Sequence, residues 1–551
     1  MPKISLHPHT LCAISLLPLM SAVADTNTEQ VIVSATRSEQ TSVLIPANIV
    51  VVDAQDIERS GAKTLADLLR SRAGIQVQDI VGAGTRGSTF VMRGFSSTAV
   101  NNTLVLLDGQ KLNNPTQAAP DISSIAMADI ERVEIIQGSA GVLYGDQATG
   151  GVINIITKRP QQRSGNLEVG FGNQDWESYR GSIGETFANG LGYRLSAEKR
   201  LTDNYRDNNE ASYDNVLARG DYTQALLKFF VEAQRVNDDM RLPGSLTPTQ
   251  IQQNRKQTTR PNEYTNIDTD RYRVGGEITI APQWTLALEY SYRDADSKGL
   301  LFGSEFTDAT TVKAFTPRVV GNIDMPFGPA VATFGYDGQS SEYRSTLTFS
   351  HIEQHTDDIY AQLVVPVYTD VVVTAGARHS TLDQENKISG STNDDSETVT
   401  TLGVSWQVVD STRLFVRRDE GFRWANADDN GSTLPGVEFL DPQTSTSYET
   451  GVNWKGGAVE TDVVIYRLNT DDELLYDQSA GSFGANVNLP KLRRDGVNVE
   501  LRWAALDSLS LRASAGYVDA EYRAGTFDGN TVPQVAKRTG SIGVDWQICP
   551  V

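Results

Sequence analysis

Two stretches of the chain have the composition of phosphate-binding loops. Gly138, Gly141, Gly145, Gly150 and Gly151 crowd ahead of the apolar run Val152-Ile153-Asn154-Ile155-Ile156-Thr157, and Gly82-Ala83-Gly84-Thr85-Arg86-Gly87 matches G-x-G-x-x-G. Glycine permits positive φ and close backbone approach, which a bound phosphate exploits. Neither context suits a nucleotide. The first lacks the Gly-Lys-Ser/Thr ending of a Walker loop. The second runs into the strand-like Ser88-Thr89-Phe90-Val91-Met92-Arg93, where a dinucleotide site needs a helix N-terminus. Metal and nucleophile chemistry are equally thin. Cys12, His7 and His9 fall in an N-terminal leader, leaving His351, His355, His379 and Cys549. That forbids an internal disulfide or a cysteine metal site. No G-x-S-x-G motif is present. No catalytic residue and no metal ligand is assigned, and the chain reads as a non-enzyme.

The elements that would position any site fall into two textures. Met1-Pro2-Lys3, the apolar run 11–20 and Ala22-Val23-Ala24 form a secretory signal peptide over residues 1–24. No later apolar run approaches the ~20 residues of a membrane helix, so any membrane crossing must be by β-barrel. The net charge of −21 disfavours nucleic acid as a partner. Residues 25 to about 165 mix helix and strand signals. Thr64 and Asp67 read as a helix cap, with Leu65, Leu68 and Leu69 on one face and Gly74 as the stop. Strands are expected at Thr89–Arg93, Thr103–Leu107, Val133–Ile136 and Val152–Thr157.

From Asn166 onward apolar and polar residues alternate. Tyr193, Leu195 and Ala197 oppose Arg194, Ser196 and Glu198; Leu286, Leu288 and Tyr290 oppose Ala287, Glu289 and Ser291. The runs are about ten residues long, enough to cross a bilayer at a tilt. Tight turns such as Ala281-Pro282, Asp410-Ser411 and Gly456-Gly457 separate long polar stretches at Asp238–Asp268, Asp296–Val312, Asp383–Glu397, Trp424–Gln443 and Asp471–Asn486. This pattern marks an outer-membrane barrel and argues against a soluble sandwich.

The run Ala128-Asp129-Ile130-Glu131-Arg132-Val133-Glu134 through Gly138 to Lys158 resembles the end of the plug domain of TonB-dependent outer-membrane receptors. Phe90-Val91-Met92-Arg93-Gly94-Phe95 and Val105-Leu106-Leu107-Asp108-Gly109 resemble two further plug motifs, and Gly421-Phe422-Arg423 and Ser447-Tyr448-Glu449-Thr450-Gly451 extend the likeness into the barrel. The resemblance implies a mainly β fold, a transmembrane antiparallel barrel of about 22 strands, with an N-terminal α/β plug in its lumen. The implied division is 25–42 TonB-box segment, 43–160 plug and 161–547 barrel. The glycine run then has a packing reason: small residues let plug turns lie against the wall.

The resemblance also assigns roles. Glu29, Gln30, Val31, Ile32, Val33, Ser34 and Ala35 resemble the TonB box, an extended segment that adds as a strand to TonB. TonB, with ExbB and ExbD, is the implied partner, and a lipid-embedded monomer the implied form. The family locks two plug arginines against two barrel glutamates. Arg93 matches one arginine, but Gln137 stands where the second belongs, so a reduced latch of Arg93 with Glu449 and Glu500, assisted by Arg132, is predicted. The expected activity is active import of a scarce metal chelate, an Fe(III)-siderophore complex first, with cobalamin or another large nutrient as the alternative and no substrate-contact residues assigned. Haem is disfavoured because no histidine lies in the plug. A porin would lack plug and TonB box; an outer-membrane enzyme would need a rim nucleophile and base. About nineteen strands are counted through Trp546 and Ile548-Cys549-Pro550-Val551 is an atypical tail, so a truncated, non-functional remnant is also an expectation of the sequence.

Overall fold

The computed structural model describes residues 31–32, 37, 40–41, 45–72, 74–79, 87–159, 163–506 and 508–547. The predicted leader, most of the TonB-box segment (Glu29, Gln30, Val33, Ser34 and Ala35), residues 82–86 of the second glycine run and the tail lie outside them. Val31–Ile32 pairs antiparallel with Gln40–Thr41.

The plug is built on a five-stranded sheet. Its order is Asn48–Val52, Ile130–Gln137, Gly151–Thr157, Thr103–Leu107, Gln110–Lys111. Thr103–Leu107 runs parallel to Gly151–Thr157, and both are buried on two faces, which is why they read as continuous apolar runs. Ile75–Asp79 and Ser88–Met92 form a separate hairpin. Thr64 caps the helix Leu65–Leu69 by accepting from the Asp67 N–H at 3.2 Å. The helix ends at Leu69, so Gly74 is not its stop. Gly74 instead takes φ +69 and turns the chain into Ile75–Asp79.

The barrel wall is one antiparallel sheet of nineteen strand segments, from Ser164–Phe171 to Arg538–Trp546, in chain order around the wall. Ser304–Phe315 and Arg318–Met325 both pair with Trp284–Leu301 and with Gly328–Ser345. They are halves of one stave, interrupted at Thr316-Pro317, where proline has no N–H to give the ladder. The nineteen segments therefore make eighteen staves. Among the described residues no pairing joins the first strand to the last.

Burial is inverted relative to a soluble protein. Leu195, Val216, Leu288 and Trp406 are exposed on the outer face, while Arg194, Ser196, Glu198 and Arg273 are buried on the inner one. The alternation thus separates a lipid face from a lumen face that the plug fills. Strand lengths correct the reading of the sequence. Ser350–Tyr368 and Ser391–Val409 have 19 residues each. At about 3.4 Å per residue they far outreach the ~25 Å apolar band. Asp296–Val312 and Asp383–Glu397, expected as loops, are polar strand extensions closed by short turns. Ladder pairing needs only backbone, so it continues past the lipid. Residues 424–442 remain a true loop.

Candidate functional site

The plug meets the wall through a buried polar interface, and the first glycine run lies on it. Gly138 takes φ +97, and a Cβ there would sit 2.0 Å from Glu449 Oε1. At Gly141 a Cβ would meet the Glu420 carbonyl oxygen at 2.5 Å. These glycines let plug backbone touch wall, and no phosphate is needed to explain them. We expect Gly138→Ala to cost about 1–3 kcal/mol through left-handed strain and displacement of Glu449. Calorimetry of the full chain in detergent measures it.

Glu449 sits at the centre. Its Oε1 accepts from Arg93 at 2.7 Å and from Ser447 at 3.3 Å; its Oε2 accepts from Arg417 at 3.2 Å. Arg93 and Glu449 are both buried, and the Tyr466 ring covers the Arg93 guanidinium with its centroid at 3.8 Å. Arg417, a wall residue, also donates to the Ser139 carbonyl at 3.1 Å. A wall arginine thus joins Glu449, where the family pattern has a second plug arginine. Gln137, which occupies that plug position, accepts from Asn498 at 2.7 Å and from Asn48 at 3.2 Å. That half of the contact is a neutral amide pair.

Two predicted latch members sit elsewhere. Arg132 pairs with Glu131 and Glu134, each at 2.8 Å, inside the plug. Residues two apart on a strand share a face, and the fully buried Glu134 claims Arg132 as its partner. Glu500 does face the lumen, as its strand's alternation required. It acts on Arg72, within the group where Asp56 meets Arg502 at 3.2 Å and Arg512 at 3.3 Å. Burial pushes Arg72 below the usual arginine range.

Sequence reading missed most of the remaining ties. Asp108 and Gly109 take φ 50 and 86, a two-residue hairpin turn of the type Asp-Gly favours. The turn aims the Asp108 carboxylate at Thr157 N (2.8 Å), Thr157 Oγ1 (2.7 Å) and wall residue Arg273 (3.1 Å). Arg273 also reaches Glu232 at 3.2 Å and Glu289 at 2.7 Å. Burial alone would raise the Asp108 carboxyl, but Arg273 and Arg219 hold it down at about 2. Asp129 pairs with wall residue Arg194 and accepts from Ser196 at 2.5 Å. Arg293 and Arg378 donate to plug carbonyls. Lumen-facing arginines at alternate positions were the available signal for all of these.

Arg37, two residues after Ala35, is held in the wall. It donates to Asp337 at 2.7 Å and to the Tyr360 hydroxyl at 2.6 Å, between the rings of Tyr144 and Tyr360. Asp337→Asn leaves that guanidinium underpaired. We expect cleavage of the N-terminal segment by added protease to rise at least about 10-fold, since breaking a buried pair costs ~3–5 kcal/mol.

On the opposite end, the loop 424–442 folds onto the plug. Trp424 N donates to Asp146 at 2.9 Å and Gln117 Nε2 to Asp429 at 2.8 Å. Burial raises the Asp146 carboxyl above its ordinary value. His351 and Glu342 lie 2.8 Å apart with Glu353 nearby, but Arg344 and Lys387 already pair with the two carboxylates.

Two family models match the chain. One, described as the TonB-dependent receptor plug domain, covers residues 42–152; the other, TonB-dependent receptor-like β-barrel, covers residues 192–548. The vitamin B12 transporter BtuB of Vibrio cholerae serotype O1 is 41% identical over 150 residues, 27% of this chain and only 24% of that protein. The vitamin B12 transporter BtuB of Vibrio vulnificus strain YJ016 is 25% identical over 516 residues, 89% of this chain and 79% of that one. Among solved structures, the unliganded ferric citrate transporter FecA superposes with TM-score 0.77 at 20% identity, over 92% of this chain and 82% of FecA. The ferric yersiniabactin receptor FyuA of Yersinia pestis does so with TM-score 0.77 at 18% identity, over 91% and 83%. These two likenesses are of fold.

Proposed function

The chain belongs to the TonB-dependent receptor family, and on that footing we propose that it actively imports a scarce metal chelate across the outer membrane, drawing on TonB, ExbB and ExbD in the inner membrane. The observation that carries this reading is the filled lumen. A plug tied to the wall by ion pairs at Glu449, Arg273, Arg194 and Asp337 stands in the path of passive flow. Net transport then needs work on the plug, and the N-terminal segment that Arg37 fastens to the wall is where a partner would apply it. The family's members are transporters and receptors, not enzymes, and lie in the outer membrane of Gram-negative bacteria.

The cargo has two readings. A ferric siderophore fits the solved structures, whose likeness extends to fold. A corrinoid is favoured by sequence, because a relative matched along 89% of this chain is a vitamin B12 transporter. Uptake of radiolabelled cobalamin and of iron-loaded siderophores, in cells stripped of their own receptors, separates them. Deleting residues 29–35 should abolish energised uptake of the true cargo and leave its binding to the cell surface intact. Uptake that persists after the deletion would refute TonB dependence.

A further inference from the structure

Between the plug hairpin at Gly109 and the wall lies a cavity of about 50 Å³ that no contact above accounts for. Its volume suits a few waters or one oxyanion group. Cations dominate its lining: Lys111 from the plug, and Arg271 and Arg293 from the wall, with Arg37 at one side. The lining carboxylates are Asp337 and Asp358, and both are already engaged, Asp337 by Arg37 and Arg378 and Asp358 by Arg378 and Ser380. Arg293 spends two N–H groups on the Leu112 and Asn113 carbonyls, which leaves its charge without a carboxylate.

Arg271 is the unusual member. It is 4% exposed, and among the described residues its Nε and Nη1 have no hydrogen-bond partner. Its Nη2 reaches Glu232 only at 3.5 Å, and Glu232 is shared with Arg219 at 3.1 Å and Arg273 at 3.2 Å. Asp121 acts on Arg271 and Arg293 from further off, with its oxygens taken by Ser123 and Ser124. Lys111 acts on Asp146. Arg271 lines this cationic cavity and carries donors without a partner, and an anion is the group that would match them, because leaving buried donors unmatched is costly.

We propose that this cavity is an oxyanion way-station: Arg271, with Arg293 and Lys111, receives a carboxylate or phosphate group of the cargo as it passes between plug and wall. The proposal rests on the import reading. Cargo and a free inorganic anion present the same chemistry, so the test uses both. The full chain in detergent is crystallised with selenate and titrated with it calorimetrically. Selenate should lie between Arg271 and Arg293, and Arg271→Gln should weaken its affinity at least 10-fold, with Arg271→Lys intermediate. In cells, Arg271→Gln should lower the maximal uptake rate of the cargo at least several-fold without changing its surface affinity. Heat-modifiable gel mobility establishes that the variants fold. An empty cavity at saturating selenate, or equal affinity in wild type and Arg271→Gln, overturns the site. Selenate binding with unchanged uptake overturns the way-station and leaves an adventitious ion only. If the wild-type chain imports nothing, the import reading fails, while the selenate result still decides whether the cavity binds anions.

Discussion

Glu449→Ala should destabilise the seated plug by about 3–5 kcal/mol, more than Arg93→Ala does, at about 1–3 kcal/mol. The asymmetry comes from Arg417. Removing Arg93 leaves Glu449 paired with Arg417 at 3.2 Å and bonded to Ser447. Removing Glu449 leaves Arg93 without its carboxylate; Arg417 keeps Asp419 at 2.5 Å and the Ser139 carbonyl. A buried guanidinium stripped of its carboxylate is the costly case. Calorimetry on the full chain in detergent, with the double variant to close the cycle, measures both costs and their coupling. Equal losses in the two single variants would mean that Arg417 does not share the carboxylate.

The second large effect is at Arg273. Arg273→Met should also cost about 3–5 kcal/mol, since Asp108, Glu232 and Glu289 all converge on this one side chain. It should change the acid response as well. In the wild type the Asp108 carboxyl is held at about 2, below its ordinary 3.8. A carboxyl depressed on folding stabilises the protein above its unfolded value, and the gain is lost as pH falls through the folded one. The contribution is therefore full above pH 3.8 and fades as pH drops toward 2, worth roughly 2 kcal/mol. Without Arg273, burial prevails over the remaining Arg219, and the acid transition of the plug should move up by about 1–2 pH units. A variant whose acid transition stays in place would show that Arg273 does not set it.

Much of this architecture was legible because one physical rule wrote it. Tyr193, Leu195 and Ala197 alternate with Arg194, Ser196 and Glu198 since one face meets lipid and the other the plug. The same rule aimed Glu449 and Glu500 into the lumen. It could not say which plug residue each would meet. Arg93 against Glu449 followed from resemblance to a motif. Arg132 was misassigned because Glu134, two residues on along the same strand, is a nearer partner than any wall group. The Asp108 turn is legible as a motif but its chemistry is not, since Thr157 and Arg273 lie 49 and 165 residues away in the chain. Strand ends were misread where polar residues continue the ladder beyond the lipid, and one stave was counted twice because Pro317 splits it.

The neutral Gln137–Asn498 pair has a mechanical consequence. Once Arg37 has been drawn off Asp337, a pull on the N-terminal segment reaches Asn48–Val52, an edge strand of the plug sheet held along one side by Ile130–Gln137. Asn48 and Asn498 both bond to Gln137, and such amide contacts are worth about 0.5–1.5 kcal/mol each, against ~3–5 for stripping a buried ion pair. Load therefore meets its weakest resistance on that flank and its strongest at Glu449. The plug should yield in stages, its first strand peeling and the remainder pivoting about the Arg93–Glu449 anchor, so that a modest force opens a gap on one side long before the whole body leaves the bore.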